Sequence, residues 1–185
     1  MTAVLLTPGA GSDRNHSSLV ALEQGLAPVP VGRFDFPYRM QGRKFPDPAP
    51  KLIASLFDDA AKFVTDAGIE PTELVLGGRS MGGRMCSMAV AEGLPAKGLV
   101  LICYPLHPPG KPEKLRTEHL PAIEVPCLFI SGTRDAFGSP DELTAATDMI
   151  PGEVTHCWID GRGHDLKGAD AEIVNATRAW LQDFD

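Results

Sequence analysis

The chain has 185 residues, 43% of them hydrophobic and 22% charged, which suits a globular domain with room for one sizeable core. With 17 Lys+Arg against 24 Asp+Glu, its net charge of −7 excludes the basic surface that binding to nucleic acid requires. No apolar run approaches the roughly 18 to 20 residues that span a bilayer, and Met1 to Leu6 lacks the basic start and long apolar stretch of a signal peptide. A cytoplasmic protein with no membrane partner is expected.

Ala3–Thr7 is a short apolar run of the kind a buried parallel strand requires. Residues 31–36 are the second strand candidate, and 37–48 fit no regular structure. Leu52, Ile53, Leu56, Phe57, Ala60, Phe63 and Val64 keep a spacing of three and four, which predicts an amphipathic helix over Ala49–Ala67 ending at Gly68. A third strand over 73–77 leads into a helix over 81–92, which Gly93 and Pro95 stop. Strands at 98–103 and 127–131 flank the segment 104–126, whose six prolines mark it as a long loop of functional rather than idle character. Ser139 is a good N-cap with Pro140 in the first turn, so 140–149 is helical. A sixth strand at 153–159 precedes a last helix carrying Ile173, Thr177, Trp180, Leu181 and Phe184 on one stripe.

Short β-rich runs alternating with helical periods predict one α/β domain over residues 1–185: a mostly parallel sheet of about six strands with helices on both faces. Cys86, Cys103, Cys127 and Cys157 form no C-x-x-C pair, and three of them fall in strand runs, so they read as reduced core thiols.

Behind the third strand stands Gly77-Gly78-Arg79-Ser80-Met81-Gly82-Gly83. Gly78, Ser80 and Gly82 match G-x-S-x-G, in which a serine on a tight strand-to-helix turn needs neighbours without side chains two positions to each side. A serine hydroxyl becomes a nucleophile only when a base takes its proton and an acid orients that base. Asp135 follows the fifth strand and His164 the sixth, and loops beyond strand C-termini gather at one edge of a parallel sheet. Ser80, Asp135 and His164 are therefore the expected catalytic residues. Among the rivals, His156 alternates with Val154 and Trp158 within a strand, His16, His107 and His119 read as solvated, and Asp160 and Asp165 would need an awkward turn to reach the His164 ring.

Backbone N–H groups of Gly9, Ala10 and Gly11, joined by that of Met81, are candidates for the hole that stabilises the oxyanion. Gly9-x-Gly11 lacks a third glycine at Arg14, and 77–84 lacks the Lys-Ser/Thr pair of a nucleotide loop, so no cofactor is called for. No cluster has metal-ligand spacing, so no metal is expected. Arg39, Arg43, Arg79, Arg84, Arg134 and Arg162 adjoin these loops. Arg39, Arg79 and Tyr104 are candidates to touch an anionic acyl substrate, although salt bridges that pin loops are the safer account of the arginines.

The serine, acid, histidine order resembles the α/β-hydrolase superfamily over nearly the whole chain. Thr7-Pro8-Gly9-Ala10-Gly11, Phe34-Asp35-Phe36-Pro37-Tyr38 and Gly78-Arg79-Ser80-Met81-Gly82-Gly83-Arg84 are similar to small, lidless dienelactone-hydrolase-like proteins grouped with testis-expressed hydrolase-like domains. The resemblance implies Ser80 as nucleophile, Asp135 as acid, His164 as base, and the oxyanion hole already described. It departs at Ser80, where true dienelactone hydrolases place cysteine. With only 104–126 available as a cap, an open, shallow pocket is expected for a small-molecule acyl ester or thioester. The alternative is a catalytically idle hydrolase fold that binds a partner through 104–126.

Overall fold

The computed structural model describes residues 1–184. Six strands, β1 (Ala3–Thr7), β2 (Val31–Arg33), β3 (Leu74–Arg79), β4 (Gly98–Ile102), β5 (Cys127–Gly132) and β6 (Val154–Ile159), form one sheet in the order β2-β1-β3-β4-β5-β6. Every pairing is parallel. Because side chains alternate across a strand, each central strand splits its apolar residues between two cores. Val4, Leu6, Val75, Val100, Ile102, Leu128 and Ile130 face α1 (Ser17–Gly25) and α6 (Asp170–Leu181). Leu5, Leu76, Leu99, Leu101 and Phe129 face α3 (Ala49–Ala67), α4 (Met81–Ala91) and α5 (Pro140–Thr147).

The helix α1 is absent from the sequence reading. Parallel neighbours need a crossover of a dozen or more residues, usually helical, so the gap between β1 and β2 should have suggested one. Its signal is the three-and-four spacing of buried Leu19, Leu22 and Leu26, with His16 Nδ1 capping the N–H of Ser18. The second strand stops at Arg33, three residues short of expectation, and Phe36 caps the short α2 (Pro37–Met40) while its ring enters the core. Capping at two further ends follows the sequence. Gly68 closes α3 at φ 65°, and Ser139 forms a reciprocal capping box with Glu142.

The proline-rich segment 104–126 does not stand off the surface. Tyr104, Leu106, His107, Leu120 and Ile123 are all buried, and Leu120–Ala122 forms a 3-10 turn against α4. No described helix is long and apolar enough to cross a membrane.

Candidate active site

Ser80 sits between the end of β3 and the start of α4 with φ 51° and ψ −119°, a strained conformation for a residue with a β-carbon. What holds it there is crowding by its neighbours. A β-carbon on Gly78 would lie 2.0 Å from Thr7 Oγ1, and one on Gly82 would lie 2.4 Å from both Thr7 Oγ1 and the Pro8 carbonyl. The two glycines let the turn press against the end of β1. Ser80 N–H donates to the Ile102 carbonyl at 2.8 Å, which fastens the turn to β4 as well.

The acid and the histidine come from the next two strand ends. Gly132 closes β5 where a β-carbon would meet the Arg162 carbonyl at 2.2 Å, so the loop after β6 crosses directly over the loop after β5. Arg134 N–H donates to that carbonyl at 2.8 Å and locks the two loops together. His164 is thereby placed with Nδ1 2.8 Å from Asp135 Oδ2 and Nε2 2.8 Å from Ser80 Oγ. An ionised carboxylate only accepts. Nδ1 therefore carries the proton and donates to Asp135, leaving the Nε2 lone pair to accept from the Ser80 hydroxyl.

Asp135 is almost fully buried, and its Oδ1 also accepts from Phe137 N–H at 2.8 Å. The Phe137 ring stacks on His164 with centroids 4.0 Å apart and planes at 27°. The rival carboxylates are occupied elsewhere: Asp160 accepts from Thr133 Oγ1, and Asp165 from Lys167 N–H. Beside Ser80, Gly9 packs close enough that a β-carbon there would be 3.5 Å from Ser80 Cβ. The turn through Gly9, Ala10 and Gly11 is held by Tyr38, whose hydroxyl donates to the Ala10 carbonyl at 2.9 Å. Met81 N–H, the first of α4, has no acceptor within its helix.

Other candidates fall differently. Arg79 is 6% exposed and its Nη2 donates to the His164 carbonyl at 2.8 Å, so it braces the histidine loop. Tyr104 is buried edge-on against Phe129, with its hydroxyl donated to the Arg116 carbonyl at 2.7 Å. A strand end that turns back into the core, rather than out over the site, accounts for this placement. Arg39 lies 3.8 Å from Asp13, as a loop-pinning pair. His107 and His119, expected in solvent, are instead drawn in with segment 104–126. His156 stacks on Trp158 within β6, as a sheet histidine.

Cys103 escaped the sequence reading as a neighbour of the site. It follows β4 at φ 52°, and its sulfur lies within 4.8 Å of donor atoms of Asp135 and His164. Burial pushes its thiol up to about 12, so it stands there as a neutral S–H.

A sequence model of the alpha/beta hydrolase domain family matches residues 1–182. The chain belongs to that family. Solved structures of similar hydrolases cover it almost end to end. DcsB in complex with its substrate analogue superposes with a TM-score of 0.80 at 16% identity, over 98% of this chain and 90% of that one. An alpha-beta serine hydrolase homologue from Coxiella burnetii gives 0.77 at 16%, over 97% and 85%. A malate-bound thermophilic esterase from Thermogutta terrifontis gives 0.75 at 21%, over 99% and 90%. At these identities the likeness is one of fold. Within this alpha/beta hydrolase, three clefts of about 390, 370 and 350 Å³ are lined by residues other than Ser80, Asp135 and His164.

A second serine–histidine contact lies about two turns along α4 from Ser80, where Ser87 Oγ and His119 Nε2 are 2.8 Å apart. Ser87 is fully buried and also donates to the Arg84 carbonyl, so this pair ties segment 104–126 to the helix. Burial, reinforced by the charge of Arg84, lowers the His119 pKa from 6.5 to about 4. Between these values the unfolded chain binds the proton and the folded one does not, so stability rises with pH across that window. The expected result is that the melting temperature falls more steeply from pH 6.5 to pH 4 in wild type than in His119→Gln. Identical slopes would remove His119 as a cause.

Proposed function

We propose that this chain is a serine hydrolase that cleaves a small carboxylic ester or thioester through an acyl-enzyme on Ser80. The observation that supports it best is the continuous relay Ser80 Oγ, His164 Nε2, His164 Nδ1, Asp135 Oδ2, with both contacts at 2.8 Å. In this reading His164 Nε2 takes the hydroxyl proton as Ser80 Oγ bonds to the carbonyl carbon. Asp135 stabilises the imidazolium that results. The N–H of Met81 and those of the Gly9–Gly11 turn receive the oxyanion, whose stabilisation is commonly the largest single catalytic effect. Collapse breaks the bond to the alcohol or thiol, which leaves with the proton from His164. Water then attacks the acyl group, His164 again taking a proton, and the acid departs as Ser80 is restored.

The half-buried Ser80, Met81 and His164 suit a shallow site for small or surface-presented acyl groups. Within the superfamily we place the chain beside the small dienelactone-hydrolase-like and testis-expressed hydrolase-like proteins. Serine in place of cysteine leaves simple esters and thioesters as the proposed class. Free thiols at all four cysteines fit a reducing compartment, and we assign the reaction to the cytoplasm.

A fluorophosphonate probe read by intact mass tests the reading. Wild type is expected to gain one adduct and Ser80→Ala none, with p-nitrophenyl esters hydrolysed only by wild type. A folded wild-type protein that takes no adduct, or Ser80→Ala that still hydrolyses, would overturn it.

A further inference from the structure

The arginines of this protein divide sharply by partner. Arg14, Arg33, Arg39 and Arg43 each pair with a carboxylate, Arg134, Arg162 and Arg178 are exposed to water, and buried Arg79 has no carboxylate either, its Nη2 donating to the His164 carbonyl while its Nη1 has no partner. Two half-buried guanidinium groups remain without any carboxylate among the described residues, those of Arg84 and Arg116. They belong to one patch. Ser87 connects the Arg84 carbonyl to His119, and the backbone of Arg116 is fixed by Tyr104 and by the Leu106 carbonyl.

Arg84 Nε is buried with no hydrogen-bond partner, which is costly for a charged donor. Arg116 spends only Nη1, on the Pro105 carbonyl at 3.2 Å. Burial and then the charge of Arg84 lower the pKa of Arg116, with Tyr104 opposing them as the smallest of the three influences, so the two cations repel with no carboxylate to offset it. Glu118 is exposed and pairs with neither guanidinium.

This patch stands beside the nucleophile for a reason set by helix geometry. Arg84 N–H donates to the Ser80 carbonyl at 3.0 Å, one turn along. Each Cα–Cβ bond of a helix tilts toward its N-terminus, so the Arg84 side chain leans toward the end of α4 at which Ser80 stands. At 1.5 Å of rise per residue the two Cα atoms are about 6 Å apart along the axis, within the span of a short acyl chain.

We propose that Arg84 and Arg116 form an anion subsite beside Ser80, so that the substrate carries a carboxylate or phosphate a few atoms from its scissile carbonyl. The proposal rests on the hydrolase reading and adds the substrate's charge to it. A planar guanidinium pair suits such oxyanions because each can donate two parallel hydrogen bonds.

The test compares p-nitrophenyl butyrate with mono-p-nitrophenyl succinate, which differ chiefly in the terminal carboxylate. Wild type is expected to favour the succinate by about tenfold or more in kcat/KM. Arg84→Gln and Arg116→Gln should each cut that ratio by about tenfold, chiefly through KM, with Arg84→Lys restoring part of it. Lys111→Gln, which removes an exposed charge from the same segment, should leave the ratio in place. A wild-type preference for the neutral ester, a ratio unmoved by both glutamine variants, or an equal fall in Lys111→Gln would overturn the subsite.

Should neither ester turn over, the hydrolase reading is judged by the fluorophosphonate adduct and the subsite by melting. Millimolar succinate or inorganic phosphate should raise Tm above that in sodium chloride of equal ionic strength, and Arg84→Gln should abolish the rise. Whichever anion acts identifies the oxyanion preferred, and no rise with either would overturn the proposal.

Discussion

Asp135→Asn is expected to fold normally and to lose about four orders of magnitude in kcat at neutral pH. The cause is the tautomer of the histidine rather than its place. Asp135 Oδ1 accepts from Phe137 N–H at 2.8 Å and lies 3.0 Å from His164 Nδ1, while Oδ2 faces Nδ1 more closely, at 2.8 Å. An asparagine amide keeps the first bond by turning its oxygen to Phe137, which aims its NH2 at Nδ1. Nδ1 must then accept, so the ring proton moves to Nε2, where the base should receive a proton from Ser80. The variant should melt near wild type, and its fluorophosphonate labelling should slow in parallel with turnover. A loss below about tenfold would show that the carboxylate does not orient the base.

The second large effect is on stability. In Gly82→Ala the new methyl would sit 2.4 Å from Thr7 Oγ1 and the Pro8 carbonyl and 2.9 Å from the Thr7 carbonyl. Thr7 has no freedom to retreat, since it is fully buried and its hydroxyl is bonded to the Gly77 carbonyl and lies 3.4 Å from Cys86 Sγ. Separating α4 from the end of β1 should cost about 3 kcal/mol, or a fall of roughly 6 to 12 °C in Tm for a chain of this size. Turnover should fall as well, because the same movement shifts Met81 and the Gly9 turn away from Ser80. Gly11→Ala is the matched comparison. Nothing lies within 4 Å of its β-carbon, so its stability should stay within about 0.5 kcal/mol of wild type. Equal melting of the two variants would mean that the glycines flanking Ser80 answer no steric demand.

The central strands and the serine turn were legible because their residues state local requirements: unbroken apolar runs for strands buried on both faces, and glycines where no β-carbon fits. The placement of Asp135 and His164 was legible through topology, since parallel strands send their C-terminal loops to one edge. The irregular backbone of segment 104–126 was legible from its prolines, but its burial was not, because prolines carry no information on burial. Leu106, Leu120 and Ile123 reach the core without any period that a helix or strand would impose. Tyr104 and Arg79 were candidates for substrate by proximity in sequence, beside the safer account of arginines that pin loops; Arg79 fits the latter through its bond to the His164 carbonyl, and the Tyr104 hydroxyl turns inward to the Arg116 carbonyl. The unpaired state of Arg84 and Arg116 had no sequence signal, because pairing depends on which loops meet in space.

The strand order carries a kinetic consequence. Ser80 leaves β3, whereas Asp135 and His164 leave β5 and β6, and β4 lies between the two groups. No pair of strands adjacent in sequence can assemble the relay, and the Ser80–His164 contact closes a loop of 84 residues. Such long closures are entropically late events in folding. On the proposed triad reading, regain of fluorophosphonate reactivity during refolding is thus a clock for the final zippering of the sheet, because a chain halted with β6 undocked would have its serine turn formed and still be chemically silent.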